Sequence, residues 1–570
     1  MNGLVLAIIA FAIFFIGYKT YGSFLSKKVF DLDPKAQVPS KEFEDGVDFV
    51  PTKKEVIFGH HYTSIAGTGP IVGPAIGIIW GWLPAMIWIV AGTVICGAVH
   101  DFGALVISMR NKGKTLSELT TDIVNPRART LFFVIIFFEL WIVIAIFAMI
   151  IGILFNLYPQ AVFPVWFEIP IALWLGWAIY KKKMNIGLGA ILAIVLMYVT
   201  IVIGAFMPIK MPGFLGMSPL TIWVIILMIY AYIASTLPVT TLLQPRDWIN
   251  AHELFIAMGL LILGAIFGAG KLKIVAPALQ MHPEGAPPLW PMLFVTIACG
   301  AISGFHSLVS SGTTSKQISS EADAKFVGYG SMIFEGALAT LVVVACAAGL
   351  GLKYVSDGNM LTGLAAWKAH YASWQAAAGL GSKVTAFIEG SANMMEAIKI
   401  PHVIGVTIMG VFVVSFAGTT LDTATRIQRY VIGEFFTSLK LPKLGNRFIA
   451  TGIAVVTAGV LAFLQKDGMG ALILWPLFGA VNQLLAALAL LIATVYLAKK
   501  AKPIWMTSLP FLFMLVITGW AMIHNISSFA KGGTVHLLII DVIIIVLEVW
   551  LIIEAVVVLS RTRKGAAASA

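Results

Sequence analysis

Apolar runs long enough to cross a bilayer recur from one end of this chain to the other, and they decide what it can fold into. Leu131 to Leu157 and Ala471 to Leu497 each exceed the roughly 20 residues that span about 30 Å of hydrocarbon as helix. Charges are correspondingly sparse: 11% of the 570 residues are Asp, Glu, Lys or Arg, against about 25% in a water-soluble domain. With 59% of the chain hydrophobic, a water-soluble fold has nowhere to hide its apolar surface. Lipid offers no partner to a free backbone amide, so runs of this kind must satisfy their own amides as helices. The fold class is therefore all-α, a polytopic integral membrane protein.

Reading helices between charged and Pro/Gly breaks gives about fifteen transmembrane spans, among them 3–25, 58–81, 219–241, 289–310 and 402–423. The first stretch, Leu4 to Gly17, lacks a basic leader and is followed by Tyr18, Lys19 and Tyr21 rather than a small-residue cleavage site, so it reads as a retained helix. Cys96, Cys299 and Cys346 lie far apart inside apolar runs, which excludes a disulfide framework or a C-x-x-C site and makes them core filler. The net charge of +11 does not point to nucleic acid, because the basic residues sit in short loops rather than on one face or tail.

Those basic loops instead orient the chain. If the loop with Arg110, Lys112, Lys114, Arg127 and Arg129 is cytoplasmic, alternation puts Lys181 to Lys183, Arg426 to Arg447, Lys499 to Lys502 and Arg561 to Lys564 on the same side. The N-terminus is then outside and the C-terminus cytoplasmic. Ser26 to Glu55, with Pro34, Pro39 and Pro51, reads as an irregular cytoplasmic connector. Ser382 to Lys399 is too short to cross and reads as re-entrant or interfacial.

Irregular backbone at membrane depth is tolerated only where protein or a wet cavity satisfies it, so helix breaks are where a site is expected. Gly67, Gly69, Pro70, Gly73 and Pro74 interrupt the second span, and Pro238 and Pro245 mark a hydroxyl-rich break around Ser235 and Thr236 five spans later, in the opposite direction. Opposed broken helices point to an inverted-repeat transporter with a five-plus-five, LeuT/APC-like core. The division expected is a first helix and connector over 1–57, repeats over 58–217 and 218–440, and peripheral helices over 441–570.

Titratable groups inside the spans add candidates, since a charge at bilayer depth needs a partner or a task. His60 and His61 precede the first break, yet neighbours point about 100° apart on a helix, so only one of the two should face a site. His100 and Asp101 can form a proton site or an ion pair that pins two helices. His306 stands one turn before Ser310, on the face that leads to Ser311, Thr313 and Thr314, whose hydroxyls suit either a small cation or helix-to-helix bonding. Asp422 and Arg426, four apart, form a candidate self-satisfying pair. Arg246 with Asp247 suits a carboxylate clamp, but the positive-inside bias makes Arg246 an interfacial anchor. Glu139, Glu253, Glu335 and Glu389 are further proton acceptors that one sequence leaves unranked.

Several stretches resemble the carbon starvation protein A family of peptide and pyruvate transporters: Phe58-Gly59-His60-His61 through Gly73-Pro74, Gly97-Ala98-Val99-His100-Asp101-Phe102, Gln244-Pro245-Arg246-Asp247, Ala298 through Thr313, Phe416 through Arg426, and Leu474 through Gln483. That resemblance implies import of peptides or pyruvate during nutrient limitation, with proton coupling in pyruvate-specific members.

The reading is therefore a secondary importer in a bacterial-type cytoplasmic (inner) membrane, and not an enzyme, since G-x-S-x-G, H-E-x-x-H and Walker patterns are all missing. Substrate binding is assigned to His60, His61, Thr63, Gly67, Thr68, Gly69, Ser235, Thr236 and His306. Ion coupling, to protons ahead of sodium, is assigned to His100, Asp101, Ser310, Ser311, Thr313, Thr314 and Asp422. No cofactor, metal or nucleic-acid partner is expected; the lipid bilayer is. The alternatives are a metal-binding membrane protein using His60-His61 with His100-Asp101, or a nutrient sensor on the same polar core.

Overall fold

The computed structural model describes residues 1–356, 358–378 and 380–568. Among these, twelve helices are long and apolar enough to cross a membrane, and fourteen crossings result if each of two bent helix pairs counts as one. They are α1 (Gly3–Val29), the bent pair α2 (Lys54–Ala66) and α3 (Gly69–Trp80), α4 (Trp82–Arg110), α5 (Pro126–Leu157), α6 (Pro159–Lys181), α7 (Ile186–Phe206), α8 (Pro219–Thr236) and α9 (Leu243–Phe267). Two short helices follow, α10 (Leu289–Thr296) and α11 (Gly304–Gly312), then α12 (Glu321–Gly349), α13 (Leu380–Glu396) and the long α14 (His402–Ser438). The second bent pair joins α15 (Arg447–Ala462) to a 3-10 segment, Lys466–Ile473, and α16 (Trp475–Lys499), α17 (Trp505–Lys531) and α18 (Val535–Arg561) complete the chain.

Local sequence sets many of these ends. Asn185 accepts from the Gly187 and Leu188 amides to start α7, and Ser218 accepts from Thr221 with Pro219 at the first position to start α8. Leu237, held extended ahead of Pro238, ends α8 at Thr236. Pro245 falls in the first turn of α9, where its missing N–H costs no intrahelical bond. The expected interruption of the span 219–241 is therefore not there: α8 is an unbroken rod, and the two prolines mark the end of one crossing and the start of the next.

The second break sits instead in the expected span 289–310, which divides into α10 and α11 around the non-helical residues 297–303. The first break is where the glycines and prolines predict it, with Gly67 at φ +38° and a 43° bend between α2 and α3. Residues 382–399 form most of the buried-faced α13, which packs on α14 and on the end of α12.

The packing is arranged in matched pairs. Helix α9 lies against α2 as α16 lies against α11; α12 lies against α3 as α4 lies against α11; α8 packs on α5 as α15 packs on α14. Helices α5 and α14 cross at the centre, and α8 meets α15. Outside this set, α6 and α7 form an added hairpin: only 33% of α7's most apolar window is buried, against 94% for α16, so Ile191, Val195 and Val199 are left for lipid.

Candidate functional site

Helix α2–α3 and helix α10–α11 run antiparallel, break against break. His60 Nε2 stands 3.0 Å from Thr313 Oγ1 and His61 Nδ1 2.9 Å from Thr314 Oγ1 at one end, while Gly73 lies against the Thr296 carbonyl at the other. Between them Gly69 meets Cys299. The unwound 297–303 segment is paid for by side chains from two flanking helices. From α4, Trp88 Nε1 donates to the Ile297 carbonyl (2.9 Å) and Thr93 Oγ1 to Gly300 (3.2 Å). From α16, Gln483 donates to the Phe294 carbonyl, and Asn482 Oδ1 accepts from Ser303 Oγ (3.1 Å) and from the Phe305 amide (3.0 Å), capping α11 from another helix. At the other break, Thr420 Oγ1 of α14 donates to the Ser64 carbonyl (3.3 Å).

A cavity of about 560 Å³ ends on these breaks. Thr68, Gly69, Ala298 and Cys299 form its floor, Phe147 of α5 and Phe478 of α16 its walls, and Ala286, Pro287 and Trp374 its mouth. Volume of this order suits a small organic ligand, and the lining is mainly apolar with a few polar groups.

Beyond the floor lies a buried titratable network. His60 Nδ1 is 2.5 Å from Asp247 Oδ2 on α9. His306 bridges two carboxylates, Asp101 of α4 at 3.1 Å and Glu335 of α12 at 3.4 Å, while Asp101 also meets His100 at 2.8 Å. All these side chains are fully buried. Among the described residues, His61 Nε2 and His100 Nε2 have no hydrogen-bond partner. Around Arg246 of α9 a second cluster gathers Asp422 of α14, Tyr230 of α8 and Glu168 of α6.

The end opposite the cavity mouth is sealed by the connector. Asp48 accepts from Arg426 (2.9 Å) and Arg429 (2.9 Å), and the same guanidiniums donate to the Leu237 and Ser235 carbonyls at the end of α8. Val50 and Thr52 amides donate to the Lys316 and Gln317 carbonyls beyond α11, and the Val239 amide donates to Val47. Burial opposes ionisation of Asp48, but Arg429 and Arg426 outweigh it and hold the carboxyl down at about 2.

The predicted site residues thus separate into groups. Thr68 and Gly69 line the cavity, and Gly67 forms the break against Phe147 and Thr420. His60, His61, Thr313 and Thr314 meet below it, and His306 joins His100 and Asp101. Thr63 and Ser311 bond back to their own helices, to Gly59 and Ser307, and Ser310 Oγ is buried without a hydrogen-bond partner among the described residues. Ser235 and Thr236 do not line the cavity: Ser235 donates to the Asp422 carbonyl and Thr236 to Ile233, because both belong to the intact end of α8. Asp422 and Arg426 do not pair with each other, since each finds a closer partner across helices, Arg246 and Asp48. Arg246 is no interfacial anchor but 4% exposed in the core. Glu389 is taken by His402 at 3.2 Å.

Sequence reading missed the roles of Glu168, Tyr230, Asp48, Arg429 and Cys299; the only signal for the first of these is a carboxylate within an apolar run. Among the described residues no three His, Cys, Asp or Glu side chains stand together as a metal site, and the pairs His60-His61 and His100-Asp101 face different partners.

The family model described as carbon starvation protein CstA matches residues 2–521. A peptide transporter CstA of Campylobacter jejuni is 35% identical, covering 94% of this chain and 82% of that protein. The pyruvate/proton symporter BtsT of Escherichia coli is 33% identical (92% and 81% covered), and a peptide transporter CstA of Bacillus subtilis 32% (98% and 97%). Among solved structures, a mutant manganese transporter of Eremococcus coleocola aligns over 91% of this chain and 99% of its own with a TM-score of 0.45 at 13% identity.

Proposed function

The chain belongs to the carbon starvation protein CstA family, and on that premise we propose that it is a secondary active importer of a small organic solute, working by alternating access. The relatives' names point to peptides or pyruvate, and one of them to protons as the coupling ion. The observation that carries the reading is the meeting of two antiparallel helix breaks at the closed floor of a cavity that reaches only one end of the bundle. The sealed end bears the connector, Arg110 and Arg429 and is the cytoplasmic one by the positive-inside bias, which puts the cavity mouth and the N-terminus outside.

A substrate carboxylate fits the floor at the N-terminal end of α3, where the helix dipole and the Thr68 hydroxyl favour an anion. The 560 Å³ volume favours a short peptide over the three-carbon pyruvate. Coupling falls to the His306, Asp101 and Glu335 group, which adjoins the break through Ser303 and needs no metal. The five-plus-five core is read as α2–α3, α4, α5, α8 and α9 against α10–α11, α12, α14, α15 and α16, with α6–α7 inserted; the matched packing pairs support these boundaries over a division at residue 218.

Proteoliposomes holding the purified protein test this. Labelled dipeptide or pyruvate should accumulate under an inward proton gradient, and preloaded unlabelled solute should accelerate labelled uptake. Equal uptake with no gradient and no counterflow would falsify the carrier reading.

A further inference from the structure

The Arg246 cluster contains more acid than base. Glu168 reaches into the core from the inserted hairpin, its Oε1 3.6 Å from Arg246 Nε and its Oε2 accepting from Ser415 Oγ at 2.9 Å. Asp422 already pairs with the same guanidinium and accepts from the Tyr230 hydroxyl at 2.8 Å. Glu253, two turns along α9 on the face of Arg246, is 4% exposed and neither of its carboxyl oxygens has a hydrogen-bond partner among the described residues. Asp247, the next acid, faces His60. Of the remaining groups around the cluster, Tyr198 of α7 stands near Glu253, and Arg426 of α14, which shares Asp48 with Arg429, stands near Asp422; the α5 residues in contact, Ile151 and Phe155, are apolar.

One guanidinium, Arg246, therefore stands directly against two carboxylates, Asp422 and Glu168, while Glu253 lies further along α9 near Glu168. Arginine keeps its charge in any protein setting, and unbalanced charge at bilayer depth is strongly disfavoured. Asp422 holds the closer contact with Arg246, so Glu168, at 3.6 Å, is the carboxyl placed to hold or release a proton. Besides these partners, Glu168 lines, with Tyr230, Arg246 and Ser415, a 30 Å³ cavity between α5, α6, α8 and α14. Such a cavity has polar partners and room for a water molecule.

We propose that Glu168 is an exchangeable proton site, fed by water in this cavity, with Arg246 stabilising the carboxylate each time the proton leaves. The O–H bond forms on a Glu168 carboxyl oxygen with a proton from cavity water and breaks by returning it there; Arg246 and Asp422 stay charged throughout. This deepens the proton-coupled reading by adding a second protonation site, contributed by the inserted hairpin.

Infrared difference spectroscopy of the full-length protein in lipid nanodiscs tests it without needing transport. Wild type minus E168Q at neutral pH should show a protonated-carboxyl band that shifts on transfer to D2O, whereas the wild type minus E253Q band should persist unshifted over the same exchange. The S415A variant, which keeps both acids, should move the Glu168 band. Absence of the first band, or its indifference to D2O and to S415A, overturns the assignment. In parallel liposomes E168Q should keep counterflow and lose at least half of its gradient-driven accumulation; full accumulation also overturns it. Lack of wild-type uptake with the band present would sink the importer reading alone.

Discussion

A methyl group on Gly69 would occupy the place of the Cys299 Cβ and Sγ atoms, so the two broken crossings touch at the cavity floor with no room for a side chain between them. Helix α3 begins at this glycine. Gly69→Ala must push α10–α11 away, and Gly69→Leu blocks the floor outright. We expect Gly69→Ala to lower the uptake rate at least tenfold, about 1.4 kcal/mol of barrier, and Gly69→Leu to abolish it, with folding checked by monodisperse elution. Wild-type uptake in both would place the substrate elsewhere.

Of the three cysteines only Cys299 is other than buried. It lines the cavity, so a membrane-impermeant thiol reagent added from outside should label Cys299, and saturating substrate should slow that labelling several-fold. Labelling of Cys299→Ser at the wild-type level, or labelling indifferent to substrate, would contradict the cavity's assignment.

Asp48 ties the connector to both Arg426 and Arg429. Its carboxyl is held at about 2, below the ordinary 3.8, so it contributes stability fully above the ordinary value and loses it only as pH falls towards 2. The seal should therefore be indifferent to pH between about 5 and 8, and any pH dependence of uptake in that window must arise elsewhere. Asp48→Asn leaves two buried guanidiniums short of an anion. Breaking a buried pair costs roughly 3–5 kcal/mol, less here because Asp48 is 18% exposed. A loss of even about 1 kcal/mol from the sealed form shifts its population about fivefold. The expected readouts are a lower melting temperature and several-fold slower outside labelling of Cys299.

The first break was legible because Gly67, Gly69, Pro70, Gly73 and Pro74 crowd one crossing. Pro238 and Pro245 gave the same local signal at a loop, and what separates the cases is non-local: residues 243–267 form a complete crossing of their own. The break at 297–303 contains no proline, and it is held by Asn482, which lies 177 residues from Phe305. Nothing near residue 300 announces that partner. Likewise the spacing of Asp422 and Arg426 suggested a self-contained pair, whereas the carboxylate turns to Arg246, 176 residues earlier. Apolar runs, which act locally, set the kind of helices and most of their places, but about fifteen spans are expected from them and twelve to fourteen are found among the described residues; the polar core depends on contacts that sequence order conceals.

Variants at His306 test the proposed coupling group apart from the proposed binding floor. His306 stands between Asp101 and Glu335 in the first turn of α11, one residue past the amide that Asn482 caps, so its charge can respond to movement of that half-helix. Asp101 is shared by His306 and His100, and Glu335 faces His306, so the charge balance of the group turns on how many of these four side chains hold a proton. On the proposed coupling, one proton more or less on His306 or Glu335 would change the preferred packing of α4, α11 and α12. Glu335→Gln keeps the shape and a hydrogen-bonding group but fixes the neutral state. It should leave substrate counterflow within about twofold of wild type, while accumulation against a gradient falls at least tenfold, equivalent to about 1.4 kcal/mol of lost driving force. His306→Asn, unable to carry charge, should behave alike, and the double variant should lose no more than either single one if the two groups act as a unit. Additive losses, or accumulation that survives in Glu335→Gln, would move the coupling proton away from this group.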